Sequence, residues 1–245
     1  MKKYLSILIC LVFVTNMANA QFFKNTSIAL GLSTSQILGN NPGGKPMLPS
    51  SDADPAISGG GFLGAQPGID FRMTIPVDKE QRWRIPVGVD YQFFSAKERV
   101  PRKYIEIKLN YSFNVISPYI GVNYVLQDLQ MIKSKTYASL EARASFINQL
   151  NYKITYQYLL DHSMDTVRYP RTKGNATRLG GLARIGVESY LFEPIQINAS
   201  VGISLMNLIG RNDKRCELLT PISFMEVKES FVWNLNFSIM FQYTF

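Results

Sequence analysis

The sequence predicts an all-β chain: a closed antiparallel transmembrane β-barrel of about ten strands, with eight to twelve allowed by length and spacing. Three observations carry this expectation. Side chains alternate between apolar and polar with period two in about ten separate stretches. The chain opens on what reads as an export leader, and it closes on a strand whose final residue is Phe245.

The leader comes first. Lys2 and Lys3 form a basic start, Leu5 to Val14 a short apolar run, and Ala18-Asn19-Ala20 a small-x-small cleavage pattern. The apolar run of roughly ten residues is about half of what a helix needs to cross a bilayer. Cys10 follows Ile9 rather than a small residue, which argues against lipid attachment there. The expected organisation is therefore a signal peptide over 1–20 and one barrel domain over 21–245, the mature chain starting at Gln21. Only Cys216 then remains, so no intramolecular disulfide can form. Without Lys2 and Lys3, 24 basic side chains face 18 acidic ones, a net +6 too small and too scattered for nucleic acid. No later stretch is apolar for long enough to make a spanning helix.

The alternation is clearest at the C-terminus. Phe231, Trp233, Leu235, Phe237, Ile239, Phe241, Tyr243 and Phe245 share one face; Val232, Asn234, Asn236, Ser238, Met240, Gln242 and Thr244 share the other. A helix repeats every 3.6 residues and cannot bury such a face. Arg82 to Phe94, Tyr104 to Phe113 and Ile195 to Leu205 repeat the pattern, and weaker versions run near 25–34, 62–76, 118–126, 136–146, 151–159 and 178–191. Tight links are expected around Asp78, over Asn114 to Ser117, near Asn148 and at Glu193-Pro194. Longer connections are expected at 35–61, 95–102, 127–135, 160–177 and 206–229. Short periplasmic turns alternating with longer extracellular loops is the asymmetry of bacterial membrane barrels, and an even strand number returns both chain ends to one side. Pro67 and Pro86 fall inside expected strands, where each removes a ladder donor; they mark bulges, or the second strand begins later.

Alternation does not say which face points inward, since soluble barrels hide the apolar face and membrane barrels display it. Aromatic placement favours the membrane. Trp83, Tyr111, Phe113, Phe146, Tyr152, Tyr243 and Phe245 gather near the expected periplasmic ends, and Tyr91, Phe93, Tyr104, Tyr124, Tyr156, Tyr158, Phe231 and Trp233 near the others. On this assignment the lumen receives Asp70, Arg72, Arg84, Asp90, Glu106, Lys108, Glu141, Arg143, Lys153, Arg184 and Glu188, charges of both signs that must pair across strands.

The leader, the alternating strands and the terminal Phe241, Tyr243 and Phe245 together resemble the small bacterial outer-membrane β-barrel proteins. The resemblance implies an outer-membrane location. It also implies that Phe241, Tyr243 and Phe245 form the assembly signal, and that the lipid bilayer and the outer-membrane assembly machinery are partners.

Chemistry is sparse. The single histidine lies in Asp161-His162-Ser163-Met164-Asp165. Omptin-type proteases carry an Asp-x-His pair, but here Asp and His are adjacent and no second acidic pair faces them. His162 and Ser163 only loosely imitate the lipid-modifying barrels. A base also needs a positioned partner, which a solvated loop histidine lacks. No His, Cys or carboxylate cluster has metal-ligand spacing, so no cofactor or metal is expected. Gly59-Gly60-Gly61 reads as a loop hinge. Expected outer-loop cations (Lys97, Arg99, Arg102, Lys133, Lys135, Arg168, Arg171, Lys173, Arg211, Lys214 and Arg215) make a basic rim suited to anionic glycolipid. The favoured expectation is a non-enzymatic surface or envelope component acting through its loops. A narrow porin-like channel comes second and an outer-membrane hydrolase third; the residues identify no protein partner.

Overall fold

The computed structural model describes residues 25–45, 58–59, 61–62, 64–129, 133–148, 151–168, 173–212, 214, 216–220 and 228–245. The expected leader lies outside them. Eleven strands form a single antiparallel sheet: β1 (Ser27–Ile37), β2 (Ser58–Gly59), β3 (Gln66–Pro76), β4 (Trp83–Pro101), β5 (Ile105–Leu129), β6 (Ser134–Ile147), β7 (Asn151–Tyr158), β8 (Met164–Arg168), β9 (Ala176–Phe192), β10 (Ile195–Ile209) and β11 (Trp233–Thr244). Eight of them close a ring in the order β1-β3-β4-β5-β6-β9-β10-β11, with β11 returning to β1. The closed antiparallel barrel thus stands, at the lower end of the expected range. Closure matters because a membrane offers no water to an unpaired strand edge.

The remaining strands build an arm. β4 and β5 outgrow the ring; β5 spans 25 residues, pairing with β6 over its second half and with β7 over its first. β7 therefore continues β6 past 148–150 along the same edge, and β8 folds back on it. The link expected over Asn114 to Ser117 does not exist. The β4–β5 ladder runs unbroken through it, Phe93 facing Asn114 and Val89 facing Pro118. Its turn-forming residues are overruled by pairing on both sides. One consequence is that 127–135 is not an outer loop, because β5 ends and β6 begins at the periplasmic end, Leu129 facing Ser134. A second merger, of the stretches at 136–146 and 151–159 into one line, restores the parity, so 160–177 returns to the outside.

Local chemistry explains the turns. Asp78 organises the first one, its carboxylate accepting from the backbone N–H of Trp83 at 2.7 Å and of Arg82 at 3.2 Å. Pro67 and Pro86 sit in unbulged strands. Pro67 lies where pairing to β4 has not yet begun, and at Pro86 the β4–β5 ladder skips a step while Thr74 still faces it from β3. The strand begins later than the expected 62, at Gln66, but still contains Pro67.

Outward positions of the ring are apolar. Leu30, Leu32, Ile69, Phe71, Val89, Ile120, Val122, Leu140, Ile185, Ile203, Phe237 and Ile239 are all exposed. Trp83 and Tyr124 touch at 4.7 Å at the periplasmic end, the end at which Phe192, Tyr243 and Phe245 are also exposed. Tyr91 and Phe93 touch at 4.5 Å at the other end, where Phe146 and Trp233 are exposed on their own strands. Trp83 to Phe93 spans about 25 Å of height, taking about 3.3 Å per residue and a tilt of about 40°. That matches the apolar band of a membrane barrel. Tyr124 and Phe146 occupy the ends opposite to those expected, a result of the β5 merger.

Candidate functional site

The ring encloses charge. Asp70 and Arg72 from β3, Arg84 and Asp90 from β4, Glu141 and Arg143 from β6, and Arg184 and Glu188 from β9 are buried inside it. Each lies on the inward side of its strand because the period-two pleat sends every second residue to the lumen. Four guanidinium groups meet four carboxylates there, and every one of them has an ionic partner. Glu141 is the hub. Arg143 donates to it at 2.7 Å and Arg184 at 3.1 Å, while Arg72 stands 3.8 Å away. Arg143 also donates to Asp90 at 3.1 Å, and Arg84 to Glu188 at 2.7 Å.

Neutral groups complete the set. Arg72 donates to Asp70 at 3.1 Å, to the Tyr119 hydroxyl at 3.1 Å and to the Tyr137 hydroxyl at 3.2 Å. The Tyr119 hydroxyl donates in turn to Asp70 at 2.7 Å, and the Tyr137 hydroxyl to Asn198 at 2.8 Å. Ser33 and Gln92 both donate to Asp90. Two glycines make room for the rings. A Cβ at Gly88 would come within 2.5 Å of the Tyr119 hydroxyl, and one at Gly186 within 2.5 Å of the Tyr137 ring. These tyrosines were not legible as lumen residues; their signal is a glycine directly across the ladder, visible only once register is known.

The result is a filled lumen. A cavity between Asp70, Asp90, Arg143, Arg184, Ser200 and Asn236 holds about 10 Å³, room for about one water.

Above it the interior changes character. Phe62, from the segment before β3, inserts among Phe94, Tyr111 and Phe113, with ring centres 5.7, 5.1 and 5.0 Å away and edges toward faces. Phe94 stacks on Phe113 at 4.7 Å. Leu109, Val115, Ile147, Met206, Leu218, Leu219 and Val232 extend this buried cluster. The loops that deliver it are tied down. Arg178 grips Glu229 with two donors at 2.8 and 2.7 Å, and Asn207 adds a third at 3.0 Å. Burial pushes the Glu229 carboxyl up, but these donors outweigh it and hold it below the ordinary carboxylate range. Lys173 donates to the Glu217 carbonyl and to Thr220, and Glu217 accepts from the Ser230 hydroxyl at 2.8 Å.

Three expected lumen residues are not in the lumen. Glu106, Lys108 and Lys153 lie on the outward side of the arm, half-buried, beyond the ring. The inward side of β5 there carries Leu109, Tyr111 and Phe113, expected to face lipid. The inversion has a physical reason: past the upper aromatic belt the strands have left the membrane, so the outer face meets water and the inner face needs an apolar core. Tyr152 and Tyr156 pack against that core from β7.

The basic rim is also rearranged. Lys133 and Lys135 stand at the periplasmic end, and Lys173 is buried in the seal. Arg171 and Arg215 lie outside the described residues, as does the side chain of Arg168. Lys97, Arg99, Arg102 and Lys214 are exposed on the outer side, and Arg211 stacks over Phe231 at 4.0 Å.

His162 is exposed in the β7–β8 turn at φ 56°. The Asp161 carboxylate beside it accepts from the Ser163 N–H at 3.0 Å and the Ser163 hydroxyl at 2.7 Å, bonds that hold it below the usual carboxylate range. Serine and aspartate are thus bonded to each other. Among the described residues no group of three His, Cys, Asp or Glu side chains could hold a metal.

No family model matches the chain, and no curated protein matches it. Solved structures do. Neisserial surface protein A is 11% identical over 90% of this chain and 97% of its own, with a TM-score of 0.42. The outer membrane protein OprG from Pseudomonas aeruginosa is 11% identical over 91% and 96%, TM-score 0.43. Ail, the attachment invasion locus protein of Yersinia pestis, is 11% identical over 91% and 99%, TM-score 0.34.

Proposed function

We propose that this chain is a closed, non-enzymatic barrel of the outer membrane, working as a surface component through its extracellular arm and sealed mouth. The observation that carries the reading is the lumen: balanced charges line it, the cavity among them has room for about one water, and an apolar cluster packs at its outer end. An apolar exterior around such a lumen suits a bilayer, and closed barrels of this kind are the spanning structures of outer membranes. Purified protein in planar bilayers is expected to give no steady conductance; steady conductance would replace this reading with the narrow-channel one.

Two further parts of the proposal concern partners. Phe241, Tyr243 and Phe245 are the assembly signal, outward-facing at the end of the closing strand, with Phe245 paired through its backbone to Asn25 and Thr26. Deleting Phe245 should lower the amount of barrel in the outer membrane while leader cleavage after Ala20 stays normal. Anionic glycolipid of the outer leaflet is the expected lipid partner of the basic outer face.

A further inference from the structure

We infer that the outward face of the arm binds the phosphate groups of an anionic glycolipid headgroup in the leaflet from which the arm rises. This rests on the proposed outer-membrane reading and gives its lipid partner a site. Register builds the face in two rows: Lys97 beside Asn110 beside Lys153, and Arg99 beside Lys108 beside Thr155. Arg99 and Lys108 are direct cross-strand partners, an arrangement that costs stability because like charges repel. Glu106, one row further out, is the acidic residue that offsets them, accepting from Arg99 and standing 3.1 Å from the Lys108 ammonium. Those contacts hold its carboxyl below the ordinary range, so it stays ionised. Among the described residues, four cations of these rows face one carboxylate.

The strands cannot hide these groups by turning over. Their reverse side is the buried cluster of Phe94, Leu109, Tyr111 and Phe113, so the cations are held outward. Position then selects the ligand. The outward face of β4 reads Val89, Tyr91 and Phe93 within the apolar band, then Ser95, Lys97 and Arg99. Lys97 lies about 13 Å along the strand beyond Phe93. A lysine stem can reach back from there along the surface toward the headgroup layer. A phosphate between Lys97 and Lys153 would meet two ammonium groups in one row, next to an Arg99–Lys108 pair that Glu106 already bridges.

The test uses the full barrel in zwitterionic detergent. It compares an acylated glucosamine disaccharide carrying two phosphates with the same lipid after dephosphorylation. Wild type should prefer the phosphorylated form, and the preference should fall with salt. Lys97→Gln, Lys108→Gln and Lys153→Gln together should weaken binding of the phosphorylated lipid by roughly a hundredfold, at about fivefold per cation. Barrel closure in the variant is checked by heat-modifiable migration. A control removing Lys79, Lys133 and Lys135 at the periplasmic end should bind as wild type does. Full retention of the preference by the arm variant would overturn the site; loss on substituting Arg211 and Lys214 instead would leave the glycolipid reading intact but elsewhere. No preference in the wild type would overturn both. Displacement of the lipid by millimolar inorganic phosphate would make free phosphate the ligand and overturn the headgroup assignment.

Discussion

Two regions of the same strands obey opposite rules. Between Trp83 and Phe93, β4 shows apolar residues to the outside and Arg84, Asp90 and Gln92 to the inside. Between Phe94 and Pro101 it shows Ser95, Lys97 and Arg99 to the outside and Phe94, Ala96 and Val100 to the inside. The pleat does not change; the surroundings do. A strand inside a bilayer meets hydrocarbon outside and must satisfy charge within, whereas the same strand above it must bury carbon within and meet water outside. The point of inversion therefore marks the membrane boundary, and it divides a polar, ion-paired lumen from a seal built on an apolar cluster, with the buried Glu98 accepting from the Tyr111 hydroxyl inside it.

The lower region should be the more fragile. Glu141→Ala would leave the guanidinium groups of Arg143 and Arg184 buried beside an empty site, and removing one partner of a buried ionic network costs about 3–5 kcal/mol. Urea unfolding in detergent should show it as a large drop in midpoint; an unchanged midpoint would mean water already fills the lumen. The filled lumen also bears on substitutions there. Arg at Ser200, within 3.3 Å of Arg184, adds bulk and like charge to a site with room for about one water, so lumen substitutions are not mild.

The next effect in size contrasts two outward positions on β4. Val89→Arg should cost about 2–4 kcal/mol or block assembly, while Ser95→Arg should fall near 0–1 kcal/mol, because the penalty follows depth in the bilayer. Equal costs would remove the boundary from between them.

The smallest effect belongs to the seal. The Glu229 carboxyl has a lowered pKa in the folded protein, so its stabilising contribution is present above the ordinary carboxylate value of about 4.3 and is lost as pH falls through the folded value. Hydrogen exchange over 228–232 should therefore rise in acid, below about pH 4, with the ring strands unaffected. Exchange there that does not depend on pH would show that Arg178 and Glu229 do not hold the loop.

Much of this fold was legible because period-two alternation survives wherever one environment faces each side of a strand. Trp83 to Phe93, Ile195 to Leu205 and the C-terminal strand read directly. Ile105 to Phe113 read just as clearly as a strand but with its faces reversed, because alternation reports that two faces differ and not which one meets lipid. That single inversion displaced Glu106, Lys108 and Lys153 from the arm to the lumen. Asn114 to Ser117 looked like a turn because Asn, Ser and Pro favour turns locally; cross-strand pairing on both edges decided otherwise. The ionic hub at Glu141 was legible as charge but not as geometry, since its partners come from β3, β6 and β9, which only ring closure brings together.

The most direct test of the boundary is a nitroxide accessibility scan along β4 from Trp83 to Pro101 in lipid vesicles, with Cys216 replaced by Ser. The account predicts that labels at outward positions 85–93 are accessible to oxygen and shielded from a water-soluble nickel complex. From 95 to 101 the preference should reverse, and inward positions should be shielded from both throughout. Labels at 85–93 that respond to the nickel complex as strongly as those at 95–101 would contradict it, because the apolar face of the ring would then be standing in water.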